Sequence, residues 1–170
     1  TTRPPTITNT TTLSCNVAMC WRVRQSVPTI CGWPTDAFAI DYDDTGPQGP
    51  DFRQRETSPH TVLLFIPGNP GCCSWYRNLL LQAVKRLGRG YAVRAISYAG
   101  HGVGANIVGT ESCLVDNDGR SNAIVWTIDG QVEHKIQWID GLLATDFNER
   151  SKKNNLPRFI FVSHSIGAHL

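Results

Sequence analysis

The chain has little of what several common chemistries demand. Its six cysteines, Cys15, Cys20, Cys31, Cys72, Cys73 and Cys113, form no CxxC pair, so zinc-ligand spacing is absent and neither a metal nor another cofactor is expected. Adjacent Cys72 and Cys73 suit a disulfide framework poorly, which points to free thiols in a reducing compartment. No basic run is interleaved with aromatic residues, and 16 Lys and Arg against 14 Asp and Glu leave a net charge of +2; no nucleic-acid partner is expected from such a balance. No apolar stretch approaches the ~20 residues that a membrane-spanning helix requires. No long amphipathic or hydrophobic hairpin stands out as an attachment element either. What is present is ordinary for a globular domain: 170 residues, 41% hydrophobic and 18% charged, enough for a real core.

Residues 1–12 are rich in Thr, Pro and Asn and read as a disordered extension or the edge of a fragment. The Asn9-Thr10-Thr11 sequon carries little information in so Thr-rich a tail. From residue 13 to 170 the pattern is that of one partial α/β domain. Val17, Met19, Trp21 and Val23 alternate at period two, and Ala37 to Tyr42 reads as a second strand; the two together suit an antiparallel edge ribbon. Residues 43–60 read as a surface loop. The run Val62-Leu63-Leu64-Phe65-Ile66 predicts a central strand buried on both faces. A helix follows, with Ser74 as N-cap, Trp75, Leu79, Leu80, Val84 and Leu87 at helical spacing, and Gly88 as its stop. Tyr91 to Ser97 is another central strand, so strand, helix and strand form one parallel, right-handed βαβ unit. Residues 103–127 read as an irregular insertion. A second helix follows, capped by Asp129, with Val132, Ile136, Ile139 and Leu143 as its apolar stripe and Glu133, Lys135, Gln137 and Asp140 facing outward or sideways. Residues 147–157 are polar and lead into a last strand. The order is that of the first half of a doubly wound α/β sheet.

The chain is organised around that last strand, Arg158 to Val162, which stops at Ser163-His164-Ser165-Ile166-Gly167. A strand that turns at once into a helix through small-x-Ser-x-small is a nucleophile elbow. The turn is so sharp that Ser165 has to take a strained backbone conformation, and the residues two before and two after it have to be small. A serine hydroxyl attacks only when a base takes its proton, and the resulting oxyanion needs donors already in place. The amide of Ile166, after the nucleophile Ser165, supplies one donor. The rigid turn Pro67-Gly68-Asn69-Pro70-Gly71 supplies the other, with the amide of Asn69 as the best candidate. Gly68 and His101, at the C-terminal ends of two central strands, are candidates for lining a substrate pocket.

Other histidines carry less. His164 packs in the elbow, while His134 and His60 read as structural or solvated. The stretch Gly100-His101-Gly102-Val103-Gly104-Ala105 fits a dinucleotide fingerprint, but no amphipathic helix follows it to receive a pyrophosphate.

Five motifs in order, Phe65-Ile66-Pro67-Gly68-Asn69-Pro70-Gly71, Trp75-Tyr76, Ile96-Ser97-Tyr98-Ala99-Gly100-His101, Gly130-Gln131-Val132-Glu133-His134-Lys135 and Ser163-His164-Ser165-Ile166-Gly167, closely resemble the lipid droplet-associated hydrolases of the α/β-hydrolase superfamily. They cover residues 61–170. The resemblance implies an α/β-hydrolase fold, with this chain its N-terminal part, cut just after the elbow. It implies a serine hydrolase of lipid carboxylic esters, such as sterol esters or neutral glycerides. The implied setting is the surface of lipid droplets and the endoplasmic reticulum, on the cytosolic face, with a role in lipid storage. The sequence departs from the family's pattern at Ser163, where Gly is usual, and at Tyr98, where His is expected. In this fold the acid and His of the triad follow the Ser in the chain, so the piece alone is expected to be inactive. Two other functions fit the same motifs: a non-catalytic lipid-droplet or membrane-surface protein on a hydrolase scaffold, and a thioesterase or peptidase using the same triad.

Overall fold

A computed structural model describes residues 8–11, 20–43, 59–101, 127–152 and 155–169. Strands β1 (Thr8–Thr11), β2 (Cys20–Ser26), β5 (Ala37–Asp43), β6 (Thr61–Ile66), β7 (Tyr91–Ile96) and β8 (Arg158–Ser163) form one sheet in the order β1-β2-β5-β7-β6-β8. The β1-β2-β5 ribbon is antiparallel, as is its join to β7, whereas β7, β6 and β8 run parallel. The sheet is therefore mixed, and its parallel half carries the elbow. A small hairpin of β3 (Thr29–Ile30) and β4 (Trp33–Pro34) stands apart from it. Its two-residue turn places both Cys31 and Gly32 at positive φ, the backbone that matches the twist of a tight hairpin.

All six residues of β6 are buried, as expected of a strand covered on both faces. Its alternation assigns a helix to each face. Leu63 and Phe65 pack with Leu80, Leu81 and Val84 of α1 (Arg77–Leu87). Val62 and Leu64 pack with Trp138 of α2 (Ile128–Thr145) and with Phe147. Successive side chains of a strand point to opposite faces, so the two helices cover opposite sides of the sheet. Burial of each such aliphatic side chain contributes roughly 1.5–3 kcal/mol. The guanidinium of Arg94 on β7, itself buried, donates to Asp41 on β5 and Asp146 at the end of α2, both at 2.8 Å.

Several elements differ from the sequence reading. Thr8–Thr11, inside the segment read as an extension, pairs with β2. The helix expected from Ser74 begins later: Cys73–Tyr76 form a 3-10 turn, α1 starts at Arg77, and the Ser74 hydroxyl lies 2.9 Å from Cys72 Sγ instead of capping. Trp75, Leu79 and Leu87 are exposed, and the buried face holds Leu80, Leu81 and Val84. The cap of α2 is Thr127, whose hydroxyl accepts from the Gly130 amide, with Asp129 in the first turn. The polar segment after α2 holds a short helix, α3 (Asn148–Lys152). The largest difference is the face of α2. Ile136 is 47% exposed, while Gln131, His134, Lys135 and Trp138 are buried. The buried stripe keeps helical spacing but is displaced by about one residue from the apolar one, because its polar members find partners beneath the helix. Glu133, Gln137 and Asp140 face solvent as expected. The proposed insertion at 103–127, apart from Thr127, and the strand residues Val17 and Met19 lie outside the described residues.

Candidate active site

Register builds the site. Parallel pairing sets Ile66 opposite Ser163, so β6 and β8 end at the same level and release their following turns side by side. The backbone of His164 donates to the carbonyl of Ile66 at 3.2 Å. At the next residue the chain reverses: Ser165 has φ 52°, a left-handed conformation that costs a non-glycine residue roughly 1–2 kcal/mol. The strained turn expected there is present, and the Ser165 side chain is exposed at its tip. The Gly167 amide closes the turn onto the His164 carbonyl at 3.0 Å.

Two glycines let the turns meet. A Cβ on Gly167 would stand 2.5 Å from the Pro67 carbonyl oxygen and 2.8 Å from that of Ile66, so no larger residue fits without moving backbone. A Cβ on Gly68 would stand 2.8 Å from both Ser165 Cβ and the His164 carbonyl oxygen. The 67–71 loop thus lies directly against Ser165. Ser163 is exposed and ends β8 in extended backbone; the steric limit falls on positions 167 and 68, and the turn accommodates Ser where the family usually has Gly.

The loop is itself a tight turn, with the Gly71 amide donating to the Gly68 carbonyl at 2.6 Å and Gly71 at φ 82°. Asn69 is exposed at its tip, and its amide makes no backbone hydrogen bond among the described residues. Ile166, on the other side of Ser165, opens a 3-10 turn (Ser165–His169), where the first amides have no acceptor within the turn. Gly68, Asn69, Ser165 and Ile166 are thus brought together. His101 lies behind the loop: its ring stands 3.1 Å from where a Gly71 Cβ would be, meets Tyr98 edge-on at 5.9 Å, and holds Nδ1 3.1 Å from the Ala99 carbonyl. His164 is engaged by Tyr76, whose hydroxyl is 2.9 Å from its Nδ1. His60 precedes β6, at the opposite end of the strand from the site.

Beneath the loop lies a buried polar cluster that includes Lys135, which its charge alone would set toward solvent, and His134, for which a structural role is one of the two readings. His134 is 1% exposed and Lys135 4%. The Thr35 hydroxyl donates its one proton to the Trp33 carbonyl at 3.1 Å, so it accepts from His134 Nε2–H at 2.9 Å. His134 Nδ1 then accepts from Lys135 Nζ at 3.0 Å. Burial, then the neighbouring Lys135 charge, holds the His134 imidazole down to about 3, and burial lowers the Lys135 ammonium to about 7. Lys135 Nζ also donates to Gln131 Oε1 at 3.3 Å and sits 4.8 Å over the Tyr98 ring. Cys73, buried nearby, is pushed up to about 12, mainly by burial, which makes it a poor nucleophile. A signal for this cluster existed in the sequence: Gln131, His134 and Lys135 share one helix face at i, i+3 and i+4. Among the described residues no group of His, Cys, Asp and Glu has the arrangement of a metal site.

The chain is 29% identical over 112 residues to the lipid droplet-associated hydrolase of Gallus gallus, covering 66% of this chain and 31% of the relative. It is 23% identical over 111 residues to that of Homo sapiens, covering 65% and 31%. It thus spans about a third of the length of these curated relatives. Among solved structures, the acetyl xylan esterase from Paenibacillus sp. R4 aligns over 96% of this chain and 48% of that one, with a TM-score of 0.46 and 17% identity. The family model described as lipid-droplet associated hydrolase matches residues 59–170, the stretch from β6 through the elbow, and the chain belongs to that family.

Proposed function

We propose that the protein is a serine hydrolase of lipid carboxylic esters, such as sterol esters or neutral glycerides, with Ser165 as nucleophile. The observation that carries this reading is the packing of Gly68 against Ser165 at the strained turn. On this proposal the amides of Asn69, next to Gly68, and of Ile166, next to Ser165, are the donors that receive the oxyanion. In the reaction, Ser165 Oγ bonds to the ester carbonyl carbon and its proton passes to a general base. The carbonyl oxygen becomes an oxyanion held by the two amides; its collapse breaks the carbon–alkoxy bond, and the alcohol leaves with the proton. Water then repeats the sequence on the acyl-enzyme and releases the fatty acid. Stabilisation by one such amide contributes about 3 kcal/mol to the barrier.

Of the four histidines whose side chains are described, none is placed as the base: His60 lies at the opposite end of β6, His134 is buried, His164 is bonded to Tyr76, and His101 lies behind the loop. The base and its acid partner are therefore assigned to residues outside those described, in keeping with the chain order of this fold, in which the acid and His follow the Ser. The lipid-droplet association for which the relatives are named supports a place at the lipid-droplet surface; the endoplasmic reticulum and the cytosolic face belong to the same proposal. Gly68, seated against Ser165, is the proposed lining of the substrate pocket beside the nucleophile; His101, packed behind the 67–71 loop, supports that lining through Gly71 and does not touch the reacting carbonyl.

The test is labelling of the full-length protein with a fluorophosphonate, whose phosphorus is attacked by Ser165 Oγ with loss of fluoride. Labelling is expected in the native protein and absent in Ser165→Ala. A well-folded native protein that takes no label overturns the hydrolase reading in favour of a non-catalytic lipid-droplet role, and hydrolysis confined to thioesters or peptides overturns the ester assignment.

A further inference from the structure

We infer that Gln131 and Lys135 are positioning residues for the 67–71 loop, acting on it through Tyr98 and Ala99. The inference rests on the hydrolase reading for its catalytic consequence, but the chain of contacts stands on its own. Gln131 Oε1 accepts from the Ala99 amide at 3.2 Å and from Lys135 Nζ at 3.3 Å. One side-chain oxygen therefore joins the first turns of α2 to the segment that follows β7. Lys135 presents its remaining donors to His134 Nδ1 and to the face of the Tyr98 ring. From Tyr98 two contacts reach the loop. Its amide donates to the Gly71 carbonyl at 2.8 Å, and its ring closes the space where a Gly71 side chain would be, with Cδ2 2.7 Å from that position. A third contact enters from the same segment: the Cys73 amide donates to Ser97 Oγ at 2.9 Å.

The C-terminal end of the loop is thus fastened at Gly71 and Cys73 to residues 97–99, and residues 97–99 are fastened to the buried face of α2. Two polar side chains, one carrying a titratable amine, are kept in a nearly closed interior where apolar side chains would fill the volume without a desolvation cost. Their hydrogen bonds do what packing alone cannot: they fix the height of the Ala99 backbone and the tilt of the Tyr98 ring, and so where the Gly68–Asn69 turn stops against Ser165. Small displacements matter here, since a shift of about 1 Å in a catalytic group costs up to roughly a hundredfold in rate.

The experiment uses the full-length protein and three variants. Gln131→Met keeps the volume and removes the acceptor; Gln131→Glu keeps the acceptor beside the amine; Lys135→Met removes the amine. Two readouts are taken on each: hydrogen exchange of the hydrogen-bonded Gly71 and Cys73 amides, and the rate of fluorophosphonate labelling, split into saturation constant and limiting rate. Gln131→Met and Lys135→Met are expected to exchange roughly tenfold faster in the loop and to lower the limiting labelling rate roughly tenfold or more. Saturation is expected to hold, and Gln131→Glu is expected to restore both. Where Gln131→Met does not fold, Gln131→Asn, which withdraws the carbonyl oxygen by one methylene, takes its place. Native-like exchange in folded Gln131→Met, or a Gln131→Glu variant that is equally stable yet not rescued, overturns the inference. Absence of labelling in the native protein would instead defeat the hydrolase reading, and the exchange arm would still decide the positioning role.

Discussion

The hydroxyl of Tyr76 stands 2.9 Å from Nδ1 of His164, and this bond ties the turn before α1 to the residue immediately ahead of Ser165. The same Tyr76 ring lies at 4.8 Å from Phe65 on β6 and 5.7 Å from His164. A Cβ on Gly68 would come within 2.6 Å of His164 Nδ1, so the imidazole is held between the phenol and the 67–71 loop. The residue before Ser165 is therefore fixed from the side of the sheet that α1 covers.

Loss of that bond has a defined outcome. Tyr76→Phe is expected to lose about 1 kcal/mol of stability and, because the imidazole is then free to swing, to slow fluorophosphonate labelling of Ser165. Denaturant titration of the variant beside its labelling rate checks both, and unchanged labelling would show that the loop alone holds the elbow.

The steric limit at the elbow predicts opposite outcomes for two neighbouring positions. Gly167→Ala drives a methyl into the Pro67 and Ile66 carbonyl oxygens and is expected to cost about 3 kcal/mol. Ser163→Gly, at an exposed strand end, is expected to stay within about 1 kcal/mol of the native protein. Urea midpoints of the two variants measure the contrast.

Strain at Ser165 has its own signature. Glycine takes φ 52° without a Cβ penalty, so Ser165→Gly is expected to raise stability by about 1 kcal/mol while abolishing labelling. A Ser165→Gly variant less stable than the native protein would mean that the serine side chain contributes more than its backbone costs.

The buried cluster predicts a pH dependence. His134 is held at about 3 in the folded protein against 6.5 for the free side chain. Between those values the unfolded chain binds the proton and the folded one does not. Its contribution is fully present above pH 6.5 and is lost as pH falls toward 3. Lys135, lowered from 10.5 to about 7, acts with the same sign in a higher window, and stability rises with pH between about 7 and 10.5. His134→Gln is expected to flatten the acid limb and Lys135→Met the alkaline one. Stability measured against pH in each variant and in the native protein gives the difference that decides it.

Legibility differed between elements for physical reasons. The strand Thr61–Ile66 and the elbow were readable because a six-residue apolar run and a small-x-Ser-x-Gly turn each have few alternative structures. The face of α2 is rotated from the expected one because Ile136 is apolar yet exposed and Lys135 is charged yet buried, and residue type by itself carries no information on whether a partner waits beneath the helix. The start of α1 was misread for a related reason. Ser74 is a good cap in isolation, but its hydroxyl lies 2.9 Å from Cys72 Sγ, and Cys73–Tyr76 wind as a 3-10 turn instead.

The sequence by itself determined the central strands, the presence of the two long helices and the residue at the tip of the elbow, because these depend on local sterics and periodicity; the family was legible only through the resemblance of its five motifs. Tertiary structure decided the rest: the parallel register that ends β6 and β8 at one level, the seating of Gly68 on Ser165, and the burial of Gln131, His134 and Lys135 under the loop. Those depend on contacts between residues dozens of positions apart, whose hydrogen bonds offset a desolvation cost that no local pattern records.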